Sequence, residues 1–298
     1  MTPMKRFSRL TLGTVIGATL SILQAQAQTI DFAALESKGG KKSNSACVLL
    51  EDNGLLATVV ELGSDPKKAT LSIGEQKLPL KFVVNDADSR VAIYQMPTES
   101  VASMGKPAVT GSSQNLTPGQ PLHGSATDRS STDRMVSRVN RFQGKVLPLA
   151  VLRVNHSNEA PKPGSGVYDA DGKLIGLVRQ AVFNAKSSSY TLPVEVVSRI
   201  RQDQKRNGNV SRCWIGIIMD ELVATPIVES VRPDSPARKA GLKNGDVILS
   251  IGGHEVSEYA EVVDAFYYLV AGVPTSFKVL RGTEVKDLQV TPEVSPGR

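Results

Sequence analysis

Between Cys47 and Tyr190 the apolar residues come in short runs rich in Val, Ile and Leu, divided by Asn-Gly and Asp-Gly pairs. Examples are CVLLEDNGLLATVVEL, KLPLKFVV, RVAIYQM, KVLPLAVLRV, GVYDADGKLIGLVRQ and SYTLPV. Short runs between turn formers predict β-strands joined by tight turns, in a sandwich or barrel. The period changes at Val194. Over Val194 to Asn207, Val197 and Ile200 stand among long charged side chains and predict one amphipathic helix, stopped by Gly208. Arg199, Arg201, Lys205, Arg206 and Arg212 give it a basic face, read as solvated. Trp214 to Thr291 mixes strands with helices, and Glu258 to Ala271 is the clearest helix there. Ser37 to Ser45, rich in Gly and Lys, reads as a linker.

The N-terminal pattern is of another kind. Lys5, Arg6 and Arg9 precede the apolar stretch Leu10 to Leu23, and Ala25-Gln26-Ala27 follows. This order predicts a secretory signal peptide cleaved after Ala27, and so a periplasmic or secreted protein. The stretch is shorter than the roughly 20 apolar residues of a membrane span.

Charge then changes meaning. The 298-residue chain carries 35 Lys+Arg and 29 Asp+Glu, a formal charge of +6, with a pI near 9.3. That basicity invites a nucleic-acid reading. Half of it belongs to Lys5, Arg6 and Arg9, and no recognition motif or aromatic platform accompanies the rest. Two Cys and three His without HExxH-type spacing exclude a four-Cys zinc site and a zinc-hydrolase motif, so neither metal nor cofactor is expected. Cys47 and Cys213 lie in different units, and buried free thiols are the commoner fate of such a pair.

The segment Ile227 to Gly253, IVESVRPDSPARKAGLKNGDVILSIGG, resembles the signature of PDZ domains. Its local chemistry agrees. Ser235 stands as N-cap before Pro236, and Gly241 and Gly245 fall where the chain must turn. The resemblance implies capture of extended or C-terminal peptide by addition to a sheet edge. It makes Trp214, Ile215 and Gly216 the carboxylate-binding loop and Ile217 the start of the edge strand. Val263 and Phe266 are the helix residues expected to line the pocket with Ile215 and Ile217.

The order of basic leader, β-rich unit, helix and PDZ unit resembles the HtrA/Deg family of bacterial serine proteases, over about residues 44 to 292. The resemblance implies a mainly β protein: a trypsin-like double β-barrel, a linking helix and a C-terminal α+β PDZ domain. The expected division is signal peptide 1–27, flexible linker 28–45, barrels 46–193, helix 194–210, PDZ domain 211–292 and tail 293–298.

Serine proteolysis needs a nucleophilic Ser, a His base and an orienting Asp. The family's His lies in G-x-x-x-T-x-x-H-V-V; here Asn53 to Val60 keeps the Gly, Thr58 and the Val-Val without the His, and no His precedes position 123. The family's D-L-A-V-L-K is matched by Arg90 to Gln95, so Arg90 replaces Asp. Asp88 is two residues away, a strand displacement of about 6–7 Å. In G-N-S-G-G-P-L-F-(D/N), gap-free alignment on Asp169 puts Pro163, which has neither hydroxyl nor N–H, at the nucleophile. A two-residue gap puts Ser165 there instead, with His156 or His123 as a base.

The leading expectation is an exported pseudoprotease that binds C-terminal or unfolded segments of other proteins. The alternatives are an HtrA-like endopeptidase of envelope protein quality control using Ser165, and a regulatory or structural subunit assembling with an active homologue or with itself.

Overall fold

The computed structural model describes residues 28–34, 43–128, 130 and 132–296. The expected signal peptide lies outside them. Of the segment read as a flexible linker, 28–34 is instead strand β1 (Gln28–Ala34), and β2 (Ser43–Glu51) begins before residue 46. β1 is not peripheral. It pairs antiparallel with β2 on one side and β4 (Ser64–Ile73) on the other. Its alternation explains this, because Ile30 and Phe32 point into the core with almost no exposure.

With β3 (Leu55–Val59), β5 (Gln76–Pro79), β6 (Lys81–Asn85) and β7 (Val91–Gln95), these strands form one sheet in the order β5-β4-β1-β2-β3-β7-β6. The sheet rolls up, its end strands β5 and β6 being joined through Leu80 alone. Ile30, Phe32, Leu56, Leu71, Ala92 and Tyr94 fill the interior. β3 is buried at every position. Leu56 faces that interior, whereas Leu55, Ala57 and Val59 face a second core between the barrels. A strand buried on both faces reads as a continuous apolar run, which is the pattern LLATV has.

A second sheet has the order β11-β12-β13-β10-β9-β8. Its strands are β8 (Pro121–Leu122), β9 (Asp133–Phe142), β10 (Lys145–Asn155), β11 (Gly166–Tyr168), β12 (Leu174–Val182) and β13 (Ala185–Pro193). Reciprocal His123–Tyr168 backbone bonds (2.9 and 2.8 Å) close it into a barrel around Leu122, Leu152, Val154, Val167 and Ile175. Closure leaves no unpaired sheet edge to aggregate.

Helix α1 (Glu195–Asn207) follows as expected, ending at Gly208 in the left-handed region. Its basic face is not wholly solvated. Arg199 is 6% exposed, donates to Ser211 O (2.6 Å) and lies over the Tyr267 ring.

The last unit contains β14 (Cys213–Trp214), β15 (Ile217–Met219), β16 (Val228–Val231), α2 (Pro236–Lys239), β17 (Val247–Ile251) and β18 (His254–Glu255). α3 (Tyr259–Tyr267), β19 (Thr275–Arg281), β20 (Glu284–Val290) and β21 (Glu293–Val294) complete it. Ser235 caps α2 by accepting from Arg238 N–H. Asp246, fully buried, takes a two-pronged bond from Arg281 (2.7 and 2.8 Å). Burial opposes its ionisation, but Arg281 outweighs that and holds the carboxyl below its ordinary range. Residues 293 and 294, read as tail, pair with Cys213 and Trp214 and so belong to the domain. α3 stops short of Ala271, with Tyr268 as its C-cap. No helix among the described residues is long and apolar enough to cross a membrane.

Candidate functional site

The C-terminal unit shapes a groove between β15 and α3. β15 pairs with β16 alone, so its other edge is open. The preceding loop is held by its carbonyls: Ile215 O accepts from Ala237 N–H (2.9 Å) and Gly216 O from Arg232 N–H (2.8 Å). No described residue accepts from the N–H of Ile215 or Gly216. Gly216 has φ +81°, and a Cβ there would sit 2.3 Å from Ser235 Cβ, so the turn demands glycine. The loop thus presents two adjacent donors where an anion would find them.

The expected groove residues divide. Ile217 is half-buried and its neighbour Ile218 is exposed. Trp214 is half-buried and pairs with Glu293. Val263 and Phe266 are half-buried and border cavities beside α3. Ile215, at 3% exposure, belongs to the domain core against which Ile217 and Phe266 pack.

The groove does not face bulk solvent alone. A cavity of about 700 Å³ has Val263, Tyr259 and the loop Glu221 to Ala224 on one side and Arg141, Lys145 and Pro148 of the second barrel on the other. A second, of about 440 Å³, lies between Phe266, Arg212 and Cys213 and the turn Asp86 to Asp88. Pro148 borders both.

The domain is held there through α3. Asp264 Oδ1 accepts from Ala150 N–H (2.8 Å). Glu258 accepts from Asn140 (2.8 Å) and Arg141 (3.0 Å), which keep its carboxyl below the ordinary range, Arg141 most. The Tyr267 hydroxyl donates to Asp86 (2.8 Å), and Arg212 pairs with Asp88 (2.7 Å). Burial pushes the Asp264 carboxyl up, and the Ala150 bond and Arg138 offset this only partly.

At the seam between the barrels, the residues matched to serine-protease positions have structural partners. Thr58 Oγ1 donates to Ala46 O. Pro163 O accepts from Ala46 N–H (2.8 Å). Gly164 N–H donates to Val178 O (2.7 Å), and Val178 N–H returns to Ser165 O (2.8 Å). Gly164 is buried at φ +83°, and a Cβ on it would lie 2.0 Å from Ala46 O. Arg90, at φ 67°, donates to Gln180 Oε1 (2.9 Å) across the seam, and its carbonyl accepts from Val60 N–H (2.8 Å). Counting three residues on from Thr58, as T-x-x-H asks, reaches Glu61, whose charge acts on Arg90. That count was available in the sequence once the Val-Val match was set aside.

Ser165 is tied through its backbone, its N–H donating to Lys162 O (3.1 Å). His156 is committed elsewhere: Nδ1 lies 2.7 Å from Asp133 Oδ2 and Nε2 2.8 Å from Ser189 Oγ. This Ser189–His156–Asp133 chain has triad connectivity, with Asp133 at the start of β9, His156 just after β10 and Ser189 midway along β13, and no sequence spacing betrays it. Ser189 has no exposed surface, so the chain satisfies buried polar groups and is closed to substrate. Asp133 is disfavoured by burial, yet bonds from His156 and Ser157 hold its carboxyl below the ordinary range. Burial pushes the Cys47 thiol up to about 12 and Cys213 to about 11, so neither is a thiolate nucleophile. Both are free. No group of His, Cys, Asp and Glu suited to a metal occurs among the described residues.

Two rolled β-sheets joined by a helix to a peptide-groove domain define an HtrA-like architecture. The PDZ domain family model matches residues 213–291. Among curated relatives, the "Probable periplasmic serine endoprotease DegP-like" of Halomonas elongata is 24% identical over 277 residues, 86% of this chain and 57% of the relative. The "Serine protease Do-like HtrB" of Bacillus subtilis is 26% identical over 283 residues, 84% of this chain and 60% of the relative. The chain thus spans somewhat over half the length of these relatives. A solved structure of HtrA-type protease AlgW with a tripeptide superposes at a TM-score of 0.62 with 20% identity, covering 92% of this chain and 95% of that one. Another, with a decapeptide, gives 0.59 with 18% identity, covering 92% and 97%. The chain is HtrA-like, and its fold is that of HtrA-type proteases.

Proposed function

We propose that this chain is an exported peptide-binding protein of HtrA type that holds C-terminal or extended segments of other proteins without cutting them. The open edge of β15, next to two unpartnered N–H groups in the Gly216 turn, carries the reading. A peptide adding to that edge gains main-chain hydrogen bonds, and its terminal carboxylate receives the loop donors. Tripeptide and decapeptide complexes of an HtrA-type protease lend support. Periplasmic relatives and the leader pattern support placement in the envelope.

Chemistry at the seam supports the reading without hydrolysis. Pro163 supplies no hydroxyl, Arg90 supplies no carboxylate, and Glu61 stands where a base would. His156 is engaged by Asp133 and Ser189 rather than by Ser165. A site without a triad retains only about 10³–10⁴ of acceleration over water even with its oxyanion hole intact. The test uses the full chain, with fluorescent peptides ending in an apolar residue, as free acids and as amides. Free acids binding at least about tenfold tighter than amides, with casein left undigested, is the expected result. Equal affinity for the two, or Ser165-dependent digestion, contradicts the reading.

A further inference from the structure

The outer face of the second barrel holds a cavity of about 180 Å³ walled by Val139, Phe142, Leu147, Val151 and Tyr190, with Arg179 in its lining. No residue of the Pro163 to Gly166 segment and none of the PDZ domain borders it. One arginine lines it and two more adjoin its lining residues. Arg179 lines it directly. Arg90 reaches its wall through Gln180. Arg153 stands opposite Tyr190 in the β10–β13 register, on the same face of the sheet. The Nε of each is buried and has no hydrogen-bond partner among the described residues. None of the three makes an ion pair within 4.0 Å among those residues.

Half-buried cations without an ion pair are costly, and here the cost shows, although Arg179 Nη2 donates to Asp88 O (3.4 Å). Burial, then the neighbouring Arg179, lower the proton affinity of Arg90, with Glu61 only partly opposing; burial likewise lowers that of Arg179, with Tyr267, Asp86 and Asp88 opposing. An anion placed between them would relieve both. The apolar walls say what must be attached to that anion. An apolar cavity near 150 Å³ accepts a benzene-sized guest, whereas drug-sized ligands occupy roughly 300–1,000 Å³.

We propose that this cavity binds a small aromatic or branched-chain monocarboxylate, its apolar group among Val139, Leu147 and Val151 and its carboxylate on Arg179. Arginine meets carboxylate in a two-pronged geometry that ammonium lacks. The site is separate from the peptide groove, so its occupancy does not depend on the proposed function.

Titration of the full chain with 3-phenylpropanoate, followed by calorimetry, tests the assignment. The acid binds with a Kd below about 1 mM, and 3-phenylpropanamide at least about tenfold more weakly. Arg179→Gln brings the acid down to the level of the amide. Leu147→Trp, which fills the cavity from a partly exposed position and leaves Arg179 in place, removes binding of both. Gly216→Ala in the PDZ loop leaves the acid's affinity unchanged, which separates this site from the carboxylate loop. Circular dichroism establishes that the variants are folded, and either barrel variant alone suffices. Equal binding of acid and amide, no binding at about 10 mM, or unchanged affinity in the folded barrel variants overturns the proposal.

Discussion

The seam between the barrels and the groove of the PDZ domain dispose of their backbone polar groups in opposite ways. At the seam, the segment from Pro163 to Ser165 is stitched to Ala46 on one side and Val178 on the other. In the groove, Ile215 and Gly216 spend their carbonyls on the fold and keep their N–H groups open. A site that binds must leave hydrogen bonds unmade in the free protein. A site converted to structure closes them. On the proposed reading, the contrast distinguishes a groove that binds from a seam that serves as structure.

The sharpest way to break the contrast is to disturb the seam itself. Gly164→Ala forces a Cβ against Ala46 O at a positive φ, and we expect a loss of about 3–4 kcal/mol in urea unfolding. A loss under about 1 kcal/mol would mean the segment is looser than the hydrogen bonds imply. The matching change in the groove, Gly216→Ala, acts on function. Peptide affinity, read by fluorescence anisotropy, falls about thirtyfold, near 2 kcal/mol.

Acid adds a second test, because buried carboxyls of the two units respond with opposite signs: one rises and two fall. Asp264, at the α3–barrel contact, has a raised native value. Its fold therefore favours the protonated form, and that stabilisation is full below the unfolded value of about 3.8 and lost as pH rises through the raised one. Asp133 and Asp246 have lowered native values. Their contribution is full above the unfolded value and lost as pH falls through the native one. Denaturation curves should show stability rising slightly on mild acidification and collapsing below about pH 4. Asp264→Asn should flatten the upper limb and add about 1 kcal/mol at neutral pH. The smallest effect is expected at Ser165. Ser165→Ala should change stability by less than about 0.5 kcal/mol, with peptide binding unaltered.

How much of this was legible depended on the range of the interaction. The PDZ unit reads plainly because its constraints are local. Ser235 caps the helix three residues on, and Gly241 and Gly245 take left-handed turns where they stand. The alternation around Cys47 to Tyr190 likewise predicted β structure correctly. β1 was read as linker because only Ile30 and Phe32 mark it, and its partners lie in β2 and β4, as far as residue 73. Glu293 and Val294 were read as tail because their partner, β14, is 80 residues earlier. His156 shows the limit most plainly. Its partners Asp133 and Ser189 come together only through strand register.

Capture without cleavage is tested most directly by mass spectrometry of a free-acid peptide recovered from its complex with the full chain after long incubation. The account predicts bound peptide of unchanged mass. Recovery of shorter fragments, absent with Ser165→Ala, would contradict it.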